Sequence, residues 1–136
     1  DTIKGGAGSD LIIGGEGNDT ITGGTGTDLV LFELLNAQDA TGGNGTDTWT
    51  DFEVGNPETN PEADILDVSA LLGDEVNADN IDQYLSVEQD ANGQVTLKID
   101  RDAQGDTFEA TALVHLGVQS PDLSLQQLLD NHQILF

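Results

Sequence analysis

The segment GGAGSDLII-GGEGNDTIT-GGTGTDLVL, residues 5–31, states one nine-residue pattern three times without a break. The preceding DTIK, Asp1–Lys4, reads as the second half of an earlier copy, and GGNGTDTWT returns at residues 42–50 after a diverged stretch, 32–41. Self-similarity at a short fixed period is the mark of a stacked architecture, in which no single unit buries its apolar face alone. Each nonapeptide divides in two. Paired glycines reach backbone angles closed to residues with a Cβ, so GGxGx predicts a tight turn. The triplets Leu11–Ile13, Thr20–Thr22 and Leu29–Leu31 are β-branched or aliphatic and predict short strands. Their middle positions, Ile3, Ile12, Ile21 and Val30, recur every nine residues and are expected to face inward. Turn, strand, turn, strand makes one coil of 18 residues, and coils stack through parallel strands over a thin Ile/Val core. A flexible glycine-rich linker would not hold apolar residues in register.

Position six of each copy is an aspartate: Asp10, Asp19, Asp28 and Asp47, with Asp1 from the partial copy. Calcium takes six to eight oxygen ligands, mixing carboxylates with backbone carbonyls. The repeat offers both, because its turns present carbonyls unobstructed by side chains. With an 18-residue coil, each aspartate stacks on the one two repeats later, so Asp1 is expected to face Asp19 and Asp10 to face Asp28. Asp47 lies 19 residues past Asp28; one inserted residue would let those two share an ion. The opposite turn, near Asn36–Asp39, lacks the glycines and reads as a degraded site.

Composition agrees with a cationic partner. There are 26 acidic residues against 3 basic ones, a formal net charge of -23. That balance excludes nucleic acid, whose phosphates need Lys and Arg, and opposes docking on anionic membranes. Self-repulsion disfavours compaction until counter-charge arrives. The absence of Cys excludes disulfides and thiolate metal sites. No apolar run approaches the length of a membrane span, and no basic-then-apolar leader stands at the N-terminus. The chain opens with Asp inside a repeat, so a tail piece of a longer protein is expected.

Beyond residue 50 the texture changes: 12 of the 17 glycines lie at or before Gly45. DFEVGNPETNPEAD, 51–64, predicts a polar loop, and Ile65–Leu72 a strand running into a short helix. Asn80–Leu85 predicts a helical turn capped by Asp79 or Asn80. Leu85–Gln89 and Val95–Asp100 alternate around Asn92-Gly93, a hairpin signal. Phe108–Leu116 predicts a strand, Ser124–Asn131 a short helix capped by its serine, and Ile134–Phe136 an edge strand. Trp49 is expected to pack as a lid on the stacked coils. Two domains follow: 1–50, calcium-binding, and 51–136, a β-rich cap.

Sharper chemistry finds little purchase. Asp100–Gly105 imitates the start of an EF-hand loop, but Gln104 and Thr111 stand where ligands are needed, so a hairpin turn is the better reading. His115 and His132 form no HExxH, no glycine-rich turn leads into Lys-Ser/Thr, and Ser69, Ser86, Ser120 and Ser124 sit in no nucleophile elbow. No enzymatic activity is expected.

The four nonapeptides resemble the GGxGxDxUx calcium repeats of RTX proteins, an established motif. The resemblance implies a mainly β fold: a right-handed parallel β-roll with calcium in both rows of turns, followed by a small β-rich C-terminal capping domain with one or two short helices. In that family, carbonyls at positions two and four of one turn join those at one and three of the turn stacked upon it. Carried over, this gives Gly6, Gly8, Gly23 and Thr25 around Asp10 and Asp28. It gives Gly24, Gly26, Gly42 and Asn44 around Asp28 and Asp47, and Gly14 and Glu16 with Asp19 opposite Asp1. WTDF, ADILDVSALL, a hairpin and the terminal LSLQQLLDNHQILF, about residues 49–136, resemble the C-terminal end of large RTX adhesins. The resemblance implies an uncleaved signal read by a type I secretion apparatus with its inner-membrane ABC transporter. It also implies a monomer, secreted or cell-surface, from a Gram-negative bacterium. A surface-displayed interaction module, or the folding scaffold of a secreted protease or lipase, are the alternative expectations.

Overall fold

A strand half at every ninth residue has to pair with its equivalent one coil later, and it does. The computed structural model describes residues 1–103, 107–119 and 123–136. In it Thr2–Ala7 (β1) runs parallel to Thr20–Thr25 (β3), with Ile3 opposite Ile21, and Leu11–Ile12 (β2) runs parallel to Leu29–Leu31 (β4), with Ile12 opposite Val30. Asp47–Trp49 (β5) adds to β3, and Ile65–Asp67 (β6) adds to β4. Ile12, Ile21 and Val30 are buried between the two sheets, while Ile3 in the outermost layer is half-buried.

The C-terminal half continues both sheets. Leu85–Gln89 (β7) and Gln94–Ile99 (β8) form the antiparallel hairpin; Asp90 closes its turn by accepting from the N–H groups of Asn92 and Gln94, at 2.8 and 2.9 Å. Thr111–Gln119 (β9) pairs antiparallel with β8 and parallel with β5, completing a six-stranded sheet in the order β1-β3-β5-β9-β8-β7. Ile134–Leu135 (β10) lies parallel to β6 at the edge of a four-stranded sheet, β10-β6-β4-β2. Among the described residues, short 3-10 turns at Ser69–Leu71 and Ile81–Gln83 and one helix, Leu125–Asp130 (α1), fill the connections. Ser124 caps α1 by accepting from Gln127 N–H at 3.2 Å. The side chain of Asn80 instead accepts from Asn77 N–H, so it braces the preceding loop rather than capping its turn.

Both sheets cross residue 50, and one apolar cluster runs from Ile12 through Trp49, Phe52, Leu66, Leu116 and Leu128 to Ile134. Each such side chain contributes about 1.5–3 kcal/mol of burial. Trp49 is 0% exposed and meets Phe52 edge to face at 5.1 Å. The strand expected over Phe108–Leu116 begins three residues later, because the Phe108 N–H is held by Asp102 and its ring lies under the Arg101 guanidinium, 4.7 Å from the ring centre. Asp102 also accepts from Thr107 N–H. Of the EF-hand-like string, Gln104 and Gly105 lie outside the described residues, as does Ser120.

Candidate metal centre

One bonding unit recurs at every layer. The N–H of Asp10 donates to Oδ1 of Asp28 at 2.9 Å, that of Asp19 to Asp47 at 2.9 Å, and that of Asp28 to Asp64 at 3.0 Å; the Asp1 amino group meets Asp19 Oδ1 in the same way. In return each upper aspartate accepts, at its carbonyl, the N–H of the residue after the lower one. Thr20, Leu29, Thr48 and Ile65 donate to Asp1, Asp10, Asp19 and Asp28 at 2.8–2.9 Å. The aspartates therefore form two rows, Asp10-Asp28-Asp64 and Asp1-Asp19-Asp47.

The expected pairing of Asp28 with Asp47 is corrected by this geometry. Residues 32–41 supply no strand to either sheet. They loop aside: the N–H groups of Leu35 and Asn36 return to Gly42 carbonyl, and Asp39 gathers the N–H groups of Thr41 and Gly43 and the Thr41 hydroxyl. Those donors hold the Asp39 carboxyl below its usual range. Arg101 pins the loop through the carbonyls of Ala37 and Asp39. A ten-residue detour brings the next repeat down on the row of Gly14–Asp19, and Gly45 stacks so closely on Gly17 that a Cβ there would strike the Gly17 carbonyl. Thr46 N–H donates to Asn18 Oδ1 at 2.8 Å in the same stack, whereas Gly42 packs against Leu34 and Leu71 with its carbonyl already taken, and Gly24 and Gly26 are left facing the loop 51–64. The Asn44 amide turns inward, donating to the carbonyls of Glu33 and Thr41 at 2.7 and 2.9 Å.

The turns are shaped to direct oxygen along the stack. Gly6 and Gly24 share φ of 112° and 107°, Gly8 and Gly26 share 100° and 105°. A Cβ on Gly24 would collide with the Gly6 carbonyl oxygen, which therefore faces the next layer, and one on Gly26 would lie 2.7 Å from the Gly8 carbonyl carbon, so that peptide too is packed directly on the layer below. Thr25 carbonyl accepts from Gly8 N–H at 2.9 Å. Hollows open where position one lacks a side chain. The place a Cβ of Gly5 would fill is 2.6 Å from both Asp10 Oδ2 and Gly23 O. Beside Gly14 the equivalent place is 2.7 Å from Asp19 Oδ2 and 3.4 Å from Asp47 Oδ2, and beside Gly23 it abuts Asp28 Oδ2. Glu16 is exposed at its turn, so it stands at the site through its backbone alone.

The Oδ2 atoms of Asp10, Asp19 and Asp28 are buried with no hydrogen-bond partner. A buried anionic oxygen without a donor costs several kcal/mol unless a cation meets it. Among the described residues no three His, Cys, Asp or Glu side chains gather to hold an ion, so backbone carbonyls have to complete any ligand set. Paired carboxylates with carbonyls are a hard, all-oxygen set of the kind calcium takes. Burial pushes the Asp47 carboxyl up to about 6, with the Asp19 charge adding to it. Burial does the same to Asp64, also to about 6, and raises Asp28, where the charges of Asp10, Asp51 and Glu62 add.

Sequence reading missed Gly15, Gly17, Asp51, Glu62, Asp64 and Gln133. A signal existed for Asp64: it stands 36 residues past Asp28, two coil periods, and Asp64-Ile-Leu repeats the Asp-Leu-Val of 28–30 and Asp-Leu-Ile of 10–12. Gln133 had none. It is 0% exposed, donates to the carbonyls of Glu53 and Asp64 at 2.8 Å each and accepts from Gly55 N–H, so the C-terminus fixes the loop that carries Asp64.

Residues 1–30 match the family model of the RTX calcium-binding nonapeptide repeat, in four copies. No curated protein matches the chain. Among solved structures, the crystal structure of the C-terminal domain (RV) of MpAFP is similar, at 23% identity and a TM-score of 0.44, over 87% of this chain and 77% of that one.

Proposed function

We propose that this chain is the calcium-dependent folding module and uncleaved C-terminal secretion signal of an exported RTX protein of the adhesin kind. It is a monomer without catalytic activity, released at or beyond the surface of a Gram-negative cell by a type I apparatus. The observation that carries the calcium reading is the set of aspartates in both rows, Asp10, Asp19 and Asp28, whose buried Oδ2 atoms have no donor, with the Gly23 carbonyl oxygen beside that of Asp10. Bound calcium supplies the counter-charge those oxygens require. The chain's own part is to bring the ligands together: β1 to β6 align the aspartates, the glycines aim the carbonyls, and Gln133 ties the last layer to the C-terminal strand.

A ligand that binds only the folded state adds about 2.7 kcal/mol at a hundredfold excess over its dissociation constant. Extracellular calcium modules have constants of about 0.1–1 mM, so the scarce calcium of a cytosol leaves the charge of -23 to keep the chain open for passage. Outside, several ions each add their increment and the layers close. Calorimetric and circular-dichroism titration of the calcium-free chain tests this. A β-structured chain in chelator that takes up no calcium would end the proposal. Export is tested separately by deleting residues 107–136 from the parent: loss of secretion supports the signal, and normal secretion removes it.

A further inference from the structure

Nine asparagines stand in the chain, and two of them precede a glycine: Asn44-Gly45 and Asn92-Gly93. That dipeptide is the one most open to spontaneous deamidation. The attacking glycine nitrogen has no side chain beside it, and glycine lets the backbone bend toward the amide. Asn56 and Asn60 precede proline, which has no N–H to lose. In an unfolded chain the two Asn-Gly steps are chemically alike. The fold treats them oppositely.

Asn92 is exposed at the turn of the β7–β8 hairpin. The Gly93 N–H reaches the Asp90 carbonyl at 3.0 Å, a surface bond that opens whenever the turn frays, and a Cβ built on Gly93 would meet nothing within 4 Å. Asn44 is 2% exposed. Its Nδ2 donates to the carbonyls of Glu33 and Thr41 at 2.7 and 2.9 Å, and the Gly45 N–H donates to Thr41 Oγ1 at 2.9 Å. The amide that has to leave and the nitrogen that has to attack are therefore both held by other partners. Gly45 also packs on Gly17 so closely that the peptide has no room to turn.

We infer that Asn44 is a deamidation site closed by the fold and opened when the chain unfolds. In the unfolded chain the Gly45 nitrogen gives up its proton and bonds to Asn44 Cγ, and Nδ2 leaves with that proton as ammonia. The cyclic imide then takes up a water from solvent. Opening at Cγ yields aspartate; opening at the main-chain carbonyl yields isoaspartate, whose main chain runs through Cγ. Neither product fits the stack. An aspartate sets a carboxylate against two carbonyl oxygens that need donors, a buried charge without a partner. Isoaspartate displaces Gly45 from Gly17. Either way the loop 32–41 loses its inner tie, and with it the re-entry that stacks Asp47 on Asp19. Time spent unfolded is recorded at Asn44, and calcium, by holding the fold, protects that residue.

The calcium clause rests on the folding proposed above, and the experiment separates the two. The full chain is aged at mildly alkaline pH in calcium, in chelator and in urea, and both Asn-Gly steps are followed by peptide mass mapping. In calcium Asn92 is expected to convert while Asn44 lags it by roughly a hundredfold or more, because a buried segment opens so seldom. In urea the two should convert alike. Equal rates in calcium, or an Asn44 that still lags in urea, overturn protection by the fold. A lag that persists in chelator, with the chain still β-structured, overturns calcium-dependent folding and leaves the Asn44 assignment standing. Returning aged chains to calcium reads the consequence: recovery of the circular-dichroism spectrum should fall with conversion of Asn44 and be indifferent to that of Asn92. Asn44→Asp should recover poorly from the start, and Asn92→Asp should refold as the unaltered chain does. Full recovery of chains converted at Asn44 overturns the consequence.

Discussion

Replacing Gly24 by alanine separates two costs that the stack imposes on its turns. Gly6 and Gly24 have nearly the same backbone, φ 112° and 107°, but nothing lies within 4 Å of a Cβ built on Gly6, whereas one on Gly24 would run into the Gly6 carbonyl oxygen and carbon. Both substitutions force an L residue into a glycine conformation, about 1–3 kcal/mol each. Only Gly24→Ala adds overpacking against rigid backbone, about 1–3 kcal/mol more. For a chain of this size, about 3–4 °C of melting temperature accompanies each kcal/mol. In saturating calcium, Gly24→Ala should melt roughly 3–12 °C below Gly6→Ala. Thermal unfolding followed by circular dichroism is the assay. Equal melting temperatures would mean that the turns do not touch as described, and the layer-by-layer account would fail with them.

Three other expectations are open to measurement. Asp28 stands between two layers and Asp10 borders one, so Asp28→Asn should lower calcium stoichiometry or affinity more than Asp10→Asn, as read by calorimetry. Asp47 and Asp64 have folded carboxyls raised by burial to about 6, above their unfolded value. Protonation therefore favours the calcium-free fold: that contribution is full below the unfolded pKa and lost as pH rises through about 6. Calcium competes with those protons, so its affinity should hold at neutral pH and fall by about tenfold per pH unit per carboxylate below about 6. A calcium titration repeated across that window would show it. Leu66→Ala, in β6 at 0% exposure between the sheets, should cost about 2–5 kcal/mol in calcium-saturated unfolding by denaturant.

What the sequence shows plainly are the features whose causes are local. Pairing at 18 residues needs only the repeat, so Asp1 over Asp19 and Asp10 over Asp28 could be read directly, as could the hairpin at Asn92-Gly93, where Gly93 takes φ 80°, and the Ser124 cap. The position of Asp47 could not be read. Whether residues 32–41 formed half a coil or a detour was decided by where the chain re-entered the stack, and Arg101, more than 60 residues away, holds that loop. The loop 51–64 was hidden for the same reason. Its contacts to Gly23, Gly24 and Gly26 come from side chains 27 to 36 residues distant, with no glycine signature to announce them. Its anchor, Gln133, is 69 residues from Asp64.

Successive aspartates in the two rows are 18, 18, 28 and 36 residues apart, yet each pair makes the same two bonds. Register in this scaffold is indexed by the acid on each rung and is indifferent to how much chain is spent between rungs. Doubling a loop adds only about 0.6 kcal/mol of closure entropy. The exposed pairs Ala37-Gln38 and Glu58-Thr59 stand in the two lengthened connections, and a peptide grafted at either should leave the pairing of the aspartates in place.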